Sequence, residues 1–258
     1  MTETANFDTI VATVDGARGM LQLNRPDKLN PLSAHTLHEI EQAARWFDEH
    51  HELKVVVVSG AGRAFSAGAD LAAFTQTAPM EERQIGWRMG RALEEMRAVT
   101  VAQVHGWCIG GGVVVVAACD LRVAADTARF SIPEVDIGIP LAWGGIPRLV
   151  REIGPAMTKE LVMTCRPFDA AEAKAVGFLN RVVPEDQLAD EVEGLVQVLV
   201  GKAKLALLET KAHVNAVTEA MVSTGRSWSD ADGLFAGLRD EEGRAKALAY
   251  AERLGRKA

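Results

Sequence analysis

Three consecutive glycines, Gly110 to Gly112, open an apolar run, and about twenty residues later one glutamate, Glu134, stands between Ile132-Pro133 and Val135. Glycines in a row let backbone N–H groups approach a ligand with no Cβ in the way. If they also open a helix, those N–H groups lack intrahelical partners and sit at its positive end. Such donors suit an oxygen that gains negative charge, provided a second N–H converges on it. A glutamate hemmed in by proline and aliphatic residues is a candidate for a raised pKa, and so for proton transfer.

These groups have to be positioned by an ordinary globular chain. Its 258 residues are 48% apolar and 24% charged, enough for one large domain or a domain with a small appendage and for a sizeable core. The net charge of −7, from 28 basic and 35 acidic residues, argues against a general nucleic-acid binder while leaving room for a local phosphate site. Cys108, Cys119 and Cys165 form no CxxC pair or metal-ligand cluster and read as reduced core thiols. With a polar start, MTETANFDTIV, that lacks a signal-peptide core, they point to a cytoplasmic protein. No apolar stretch is long enough to span a bilayer.

Along the chain, Ile10 to Val14, a turn at Asp15-Gly16, and Met20 to Leu23 predict a hairpin. Apolar positions at Leu37, Ile40, Ala44 and Phe47 predict a helix from Ser33 to His50, with Ser33 as its N-cap. Val55 to Ser59 reads as a buried strand, and Phe65 to Asp70 as a tight turn. Glu82 to Met96 reads as a helix, and Thr100 to Val104 as a strand leading to the glycines. Lys159 to Thr164, Ala170 to Ala175 and Asp186 to Val200 read as helical, with a short strand within Val176 to Val183. Beyond Lys202 the pattern is helical. The shift predicts a core over 1–200 and a helical region over 201–258. Periodicity leaves Val113 to Val116 open between buried strand and buried helix, and propensity alone favours strand. The residues show no periodic repeat.

The segments LNRPDKLNPL (Leu23 to Leu32), AFSAGADL (Ala64 to Leu71), HGWCIGGG (His105 to Gly112), CDLRVA (Cys119 to Ala124), FSIPEVDIGI (Phe130 to Ile139), GGIPRLVREIG (Gly144 to Gly154) and FDAAEAKAVGFLNRVVP (Phe168 to Pro184), in this order and at these separations, resemble the enoyl-CoA hydratase/isomerase, or crotonase, family. The resemblance implies an α/β fold, a crotonase-like spiral of β-β-α turns with a C-terminal helical trimerisation region. It implies a homotrimer or dimer of trimers. It implies an acyl-CoA thioester as substrate, so that coenzyme A arrives with the substrate and no separate cofactor is needed. It also implies that Val113 to Val116 begin a helix.

On the same resemblance, the N–H groups of Ala69 and Gly111 polarise the thioester carbonyl. Glu134 matches the proton-moving glutamate of the family's hydratases. Their second glutamate falls at Val114, and a third acid found in some members falls at Ala142, so this pocket retains one matched carboxylate. Coenzyme A contacts carry over to Lys28, Leu29, Arg63, Ala67 and Ala69, where a charged side chain suits phosphate. Phe235 matches a tail aromatic that in relatives touches a neighbouring subunit's ligand. Trp143, beside Gly144-Gly145 where a small residue is expected, reads either as an acyl-pocket wall or as a core tryptophan. Trp87 and Met89 read as core, Asp136 as a loop aspartate, and His35 and His38 as solvated helix residues without a metal.

Hydration needs a positioned water and a proton donor, whereas moving a double bond from the 3,4 to the 2,3 position needs one base. The leading expectation is therefore single-glutamate isomerisation of a 3-enoyl-CoA. A hydratase or other lyase with a substitute for the missing glutamate is the alternative. A non-catalytic acyl-CoA binder is the alternative of another class. GxSxG, HExxH and P-loop signatures are absent, and GWCIGGG lacks dinucleotide-fingerprint spacing.

Overall fold

A computed structural model describes residues 2–70, 83–225 and 230–255. Ten strands are described: β1 (Glu3–Ala5), β2 (Ile10–Asp15), β3 (Arg18–Leu23), β4 (Val55–Gly60), β5 (Val99–Val104), β6 (Trp107–Ile109), β7 (Leu121–Ala125), β8 (Arg129–Ser131), β9 (Phe168–Asp169) and β10 (Arg181–Val183). Seven form one sheet in the order β1-β2-β3-β4-β5-β7-β10; β6, β8 and β9 form a second. The β2–β3 hairpin is antiparallel, and β3, β4, β5, β7 and β10 run parallel.

The helices are α1 (Ala34–Glu49), α2 (Ile85–Glu95), α3 (Gly111–Ala117), α4 (Gly145–Thr164), α5 (Ala170–Ala175), α6 (Leu188–Val200), α7 (Lys204–Met221), α8 (Asp230–Gly237) and α9 (Glu241–Gly255). The chain repeatedly takes a strand of the large sheet, a strand of the small sheet, then a helix: β5-β6-α3, then β7-β8-α4. An isolated bridge from Ser66 to Cys108 gives the turn after β4 the same plan. This is the β-β-α spiral.

Strand β4 is buried along its whole length, as expected of a parallel strand covered on both faces. Val56 and Val58 belong to the main core, while Val55 and Val57 face a second cluster under α6. That helix buries Leu188, Val192, Leu195 and Val196, one helical stripe. The Ser33 side chain accepts from the Thr36 N–H, the predicted N-cap. None of the described helices is long and apolar enough to cross a membrane.

Val113 to Val116 are helical and buried, as the resemblance implied, so tertiary burial overrides their strand propensity. Two local expectations change. Only Arg181–Val183 of the expected Val176–Val183 strand is extended, because α5 ends in a turn at Gly177, φ 92°. Helix α4 begins at Gly145 and continues across a kink at Gly154-Pro155, where sequence periodicity revealed only its last turns. The expected helix from Glu82 begins within residues outside the description and is seen as Ile85–Glu95.

Candidate active site

Gly111 is the first residue of α3, so its N–H has no intrahelical acceptor. The turn carrying Ala69 lies against it: a Cβ on Gly68 would sit 2.7 Å from the Ile109 carbonyl oxygen and 3.7 Å from the Gly111 nitrogen. Leu32 bridges Ala69 in parallel, with Leu32 N–H donating to Gly68 and Asp70 N–H donating to Leu32. That pattern turns the N–H of Ala69 itself away from the bridge. Among the described residues, neither the Ala69 nor the Gly111 N–H meets an acceptor. Both residues line one small apolar cavity together with Glu134.

The turn holding Ala69 is organised by a residue that sequence reading passed over. Buried Asn30, at φ 53°, donates its side-chain amide to the carbonyls of Ala61 and Ala64 (2.8 and 2.9 Å) and accepts from Arg25 N–H. Its own carbonyl accepts from the Ser66 hydroxyl at 2.8 Å. His105 bonds the Gly62 carbonyl at 2.7 Å and so ties the same loop to the strand before the glycines.

Among the described residues, Glu134 is the ionisable group lining the cavity. Burial raises its pKa to about 7, against a small opposing effect of a backbone N–H. Its Oε2 is buried without a hydrogen-bond partner. Gly110, at φ 49°, leaves room for this carboxylate: a Cβ there would fall 2.4 Å from Oε1. Val114 and Ala142, where further acids would stand, are buried in the cavity wall.

Trp143 closes the cavity. Its indole lies in a slot between two glycines: a Cβ on Gly86 would come within 2.1 Å of Cδ1, and one on Gly111 within 2.2 Å of Cζ3. Its backbone is left-handed at φ 63°, which for a bulky residue costs about 1–3 kcal/mol and must be held by its surroundings. The Trp143 and Gly144 carbonyls accept from Arg148 Nη1 (3.2 and 3.1 Å). The Gly144 N–H donates to Asp230, and the Trp143 N–H bonds the same carboxylate. Asp230 carries no local sequence signature; burial raises its pKa to about 6 against those two amides and the Arg148 charge. Trp143 is thus a buried residue that also lines the cavity.

The remaining expected residues fall at the rim or away from it. Lys28 and Arg63 are exposed and outside any ion pair among the described residues. Ala67 N–H is committed to the Leu29 carbonyl at 2.8 Å. Phe235 is 2% exposed within its own chain, under the Arg83 guanidinium, while its neighbours Leu234 and Leu238 reach the cavity. Met89 is buried, Trp87 donates to Thr224 O at 3.3 Å, and Asp136 is exposed. All three cysteines are buried and unpaired. His35 meets Asp8 and Glu39 at 3.2 and 3.3 Å. Glu39 already accepts from Asp8 N, Thr9 N and the Thr9 hydroxyl, which explains that cluster without an ion.

A crotonyl-CoA hydratase of Syntrophomonas wolfei is 32% identical over 241 residues, covering 92% of this chain and 93% of its own. A peroxisomal Delta(3,5)-Delta(2,4)-dienoyl-CoA isomerase of Arabidopsis thaliana is 33% identical over 235 residues, covering 85% and 84%. The crystal structure of an enoyl-CoA hydratase from Mycobacterium avium subsp. paratuberculosis superposes with a TM-score of 0.86 at 28% identity, covering 96% of this chain and 97% of that one. The family description for enoyl-CoA hydratase/isomerase matches residues 16–257. With the spiral fold and the cavity geometry, these matches place the chain in the enoyl-CoA hydratase/isomerase family.

Proposed function

We propose that the protein isomerises a 3-enoyl-CoA to a 2-enoyl-CoA with Glu134 as its single proton carrier. The observation that carries this reading is the cavity wall: among the described residues Glu134 is its one ionisable lining residue, and Val114 and Ala142 are apolar. The thioester oxygen accepts from the N–H groups of Ala69 and Gly111. Glu134 removes a proton from C2, and the electrons delocalise through the thioester into a dienolate. The same carboxyl returns the proton to C4, leaving the double bond between C2 and C3. Each preset N–H stabilises the developing oxyanion without reorganising, worth roughly 10²–10³ in rate. A carboxyl with a pKa of about 7 is suited both to accept and to return a proton near neutral pH.

The exposed Lys28 and Arg63 suit the phosphates of coenzyme A, with Leu29, Ala67 and Ala69 along its path; no separate cofactor enters. Helix α7 exposes Val214, Val217 and Met221 on one side, an apolar face that supports assembly as a trimer, or dimer of trimers, through the helical tail.

A second reading, hydration of a 2-enoyl-CoA, is favoured by the name of the Syntrophomonas relative, a crotonyl-CoA hydratase. It requires an ordered water to do what a carboxylate at position 114 would do. The deciding experiment offers the protein a 3-enoyl-CoA and crotonyl-CoA separately and identifies the products. Isomer from the first with slow or no hydration of the second is expected. Hydration at about 10²–10³ per second overturns the single-glutamate reading. Binding without proton exchange in deuterated water would instead mark a non-catalytic acyl-CoA binder.

A further inference from the structure

The turn at Trp143-Gly144 is held from two sides by groups distant in sequence. Arg148, 1% exposed and paired with Glu94 at 2.7 Å, takes its carbonyls. Asp230, the first residue of α8, takes its amides across 86 residues of sequence. Across two consecutive left-handed residues, φ 63° and 69°, two successive N–H groups reach one carboxylate. The indole that this turn carries is thereby fixed in the slot between Gly86 and Gly111.

The cavity left beside Glu134 is about 30 Å³, room for roughly two water-sized groups, which suits a short acyl chain over a long one. Resting on the acyl-CoA reading above, we propose that Asp230 is a positioning residue that sets the acyl-chain limit, because its grip on the Trp143-Gly144 amides holds the indole as the end wall of the pocket. The tail therefore shapes specificity from a distance. Asp230 itself does not line the cavity, so its influence on the substrate passes through Trp143.

The test compares binding of saturated butyryl-CoA and octanoyl-CoA by calorimetry, a readout independent of which reaction the enzyme performs. An open apolar pocket favours the longer chain, since added methylenes bury apolar area. The wild type is expected to show the opposite, favouring butyryl-CoA by about tenfold. Asp230→Ala should bring the two to parity or invert the preference, and Trp143→Ala should do the same. Combining the two substitutions should add little to either, the signature of one acting through the other. Should Asp230→Ala fail to fold, Asp230→Asn, which keeps one acceptor and loses the charge, should shift the ratio in the same direction. An unchanged chain-length ratio in a folded Asp230 variant overturns the proposal, as does a wild type that prefers octanoyl-CoA; neither touches the acyl-CoA reading. Failure of both thioesters to bind removes that reading and the proposal together.

Discussion

The short helix α3 has a cavity at each end, and the two differ in kind. At its N-terminus, Gly111 and Val114 border the apolar cavity of about 30 Å³ around Glu134. At its C-terminus, Ala117 and Ala118 border a cavity of about 310 Å³ rich in charge. There Lys211 meets Asp120 at 2.7 Å, and Arg151 bridges Glu94 to Glu219. Glu219, which burial pushes up, is nonetheless brought down to about 2 by hydrogen bonds from Ser223, Thr224 and Gly225. The larger, more charged cavity has its charges matched; the smaller one has a single carboxylate with an unpartnered oxygen. What marks a reactive site is the absence of compensation, which leaves a proton free to move. Paired buried charges fix geometry.

The contrast is broken most directly by Glu134→Gln. Turnover should fall by roughly 10³-fold or more while acyl-CoA binding stays within about tenfold, because the amide keeps the shape and loses the proton. Turnover and binding measured on one preparation decide it, and full activity would remove Glu134 from the mechanism. Next comes the donor that faces it. Gly111→Pro deletes one N–H and should cost about 10²-fold in kcat/KM relative to Gly111→Ala, the control that adds the same Cβ against the Trp143 indole and keeps the N–H.

On the other side of α3 the effect should move from rate to stability. Lys211→Met leaves Asp120 without its cation and the Ala98 carbonyl without its donor. Unfolding free energy in urea should drop by roughly 3 kcal/mol, with turnover per folded molecule unchanged. An equal loss of rate would mean the back cavity takes part in the chemistry.

The smallest effect separates the two regions by pH. Glu134 has its pKa raised from 4.5 to about 7 by burial. Between those values the folded chain holds a proton that the unfolded chain has lost, so this group's contribution to stability falls as pH rises through that window. Relative to the wild type, Glu134→Gln should gain stability by roughly 3 kcal/mol between pH 4 and pH 8. Over the same range wild-type kcat/KM should fall about tenfold per unit below pH 7, because the base must be ionised. A flat difference in stability together with a flat rate profile would show that Glu134 is ordinary.

Sequence revealed the parts of the site whose role depends on residue type. Gly110 to Gly112 and Glu134 stand out by residue type, since close backbone approach suits glycine and proton transfer suits a carboxyl, whereas Ala69 was reached through the family resemblance; Ala69, Gly111 and Glu134 line one cavity. Asp230 and Arg148 are invisible by that route, since an aspartate or arginine acquires its task from a turn 86 or five residues away in the chain. The fold divides in the same way. Helix α1 is legible by its period and β4 by its run of β-branched residues, whereas β6, β8 and β9, of two or three residues each, are too short to show either. The β-β-α repeat likewise resides in how strands are shared between two sheets and leaves no repeated residues behind.

Where Asp230 stands in the chain also matters for synthesis. A ribosome adding about 5–20 residues per second delivers Asp230 several seconds after Gly144, its partner 86 residues earlier. The glycines, the base and the left-handed tryptophan all emerge before the carboxylate that holds that tryptophan in place. Gly138 also waits for Gly243, which approaches so closely that a Cβ on Gly138 would lie 2.3 Å from its Cα. On the roles proposed above, a nascent chain carries the Glu134 carboxyl with an unfinished pocket, and selectivity is the last property it acquires.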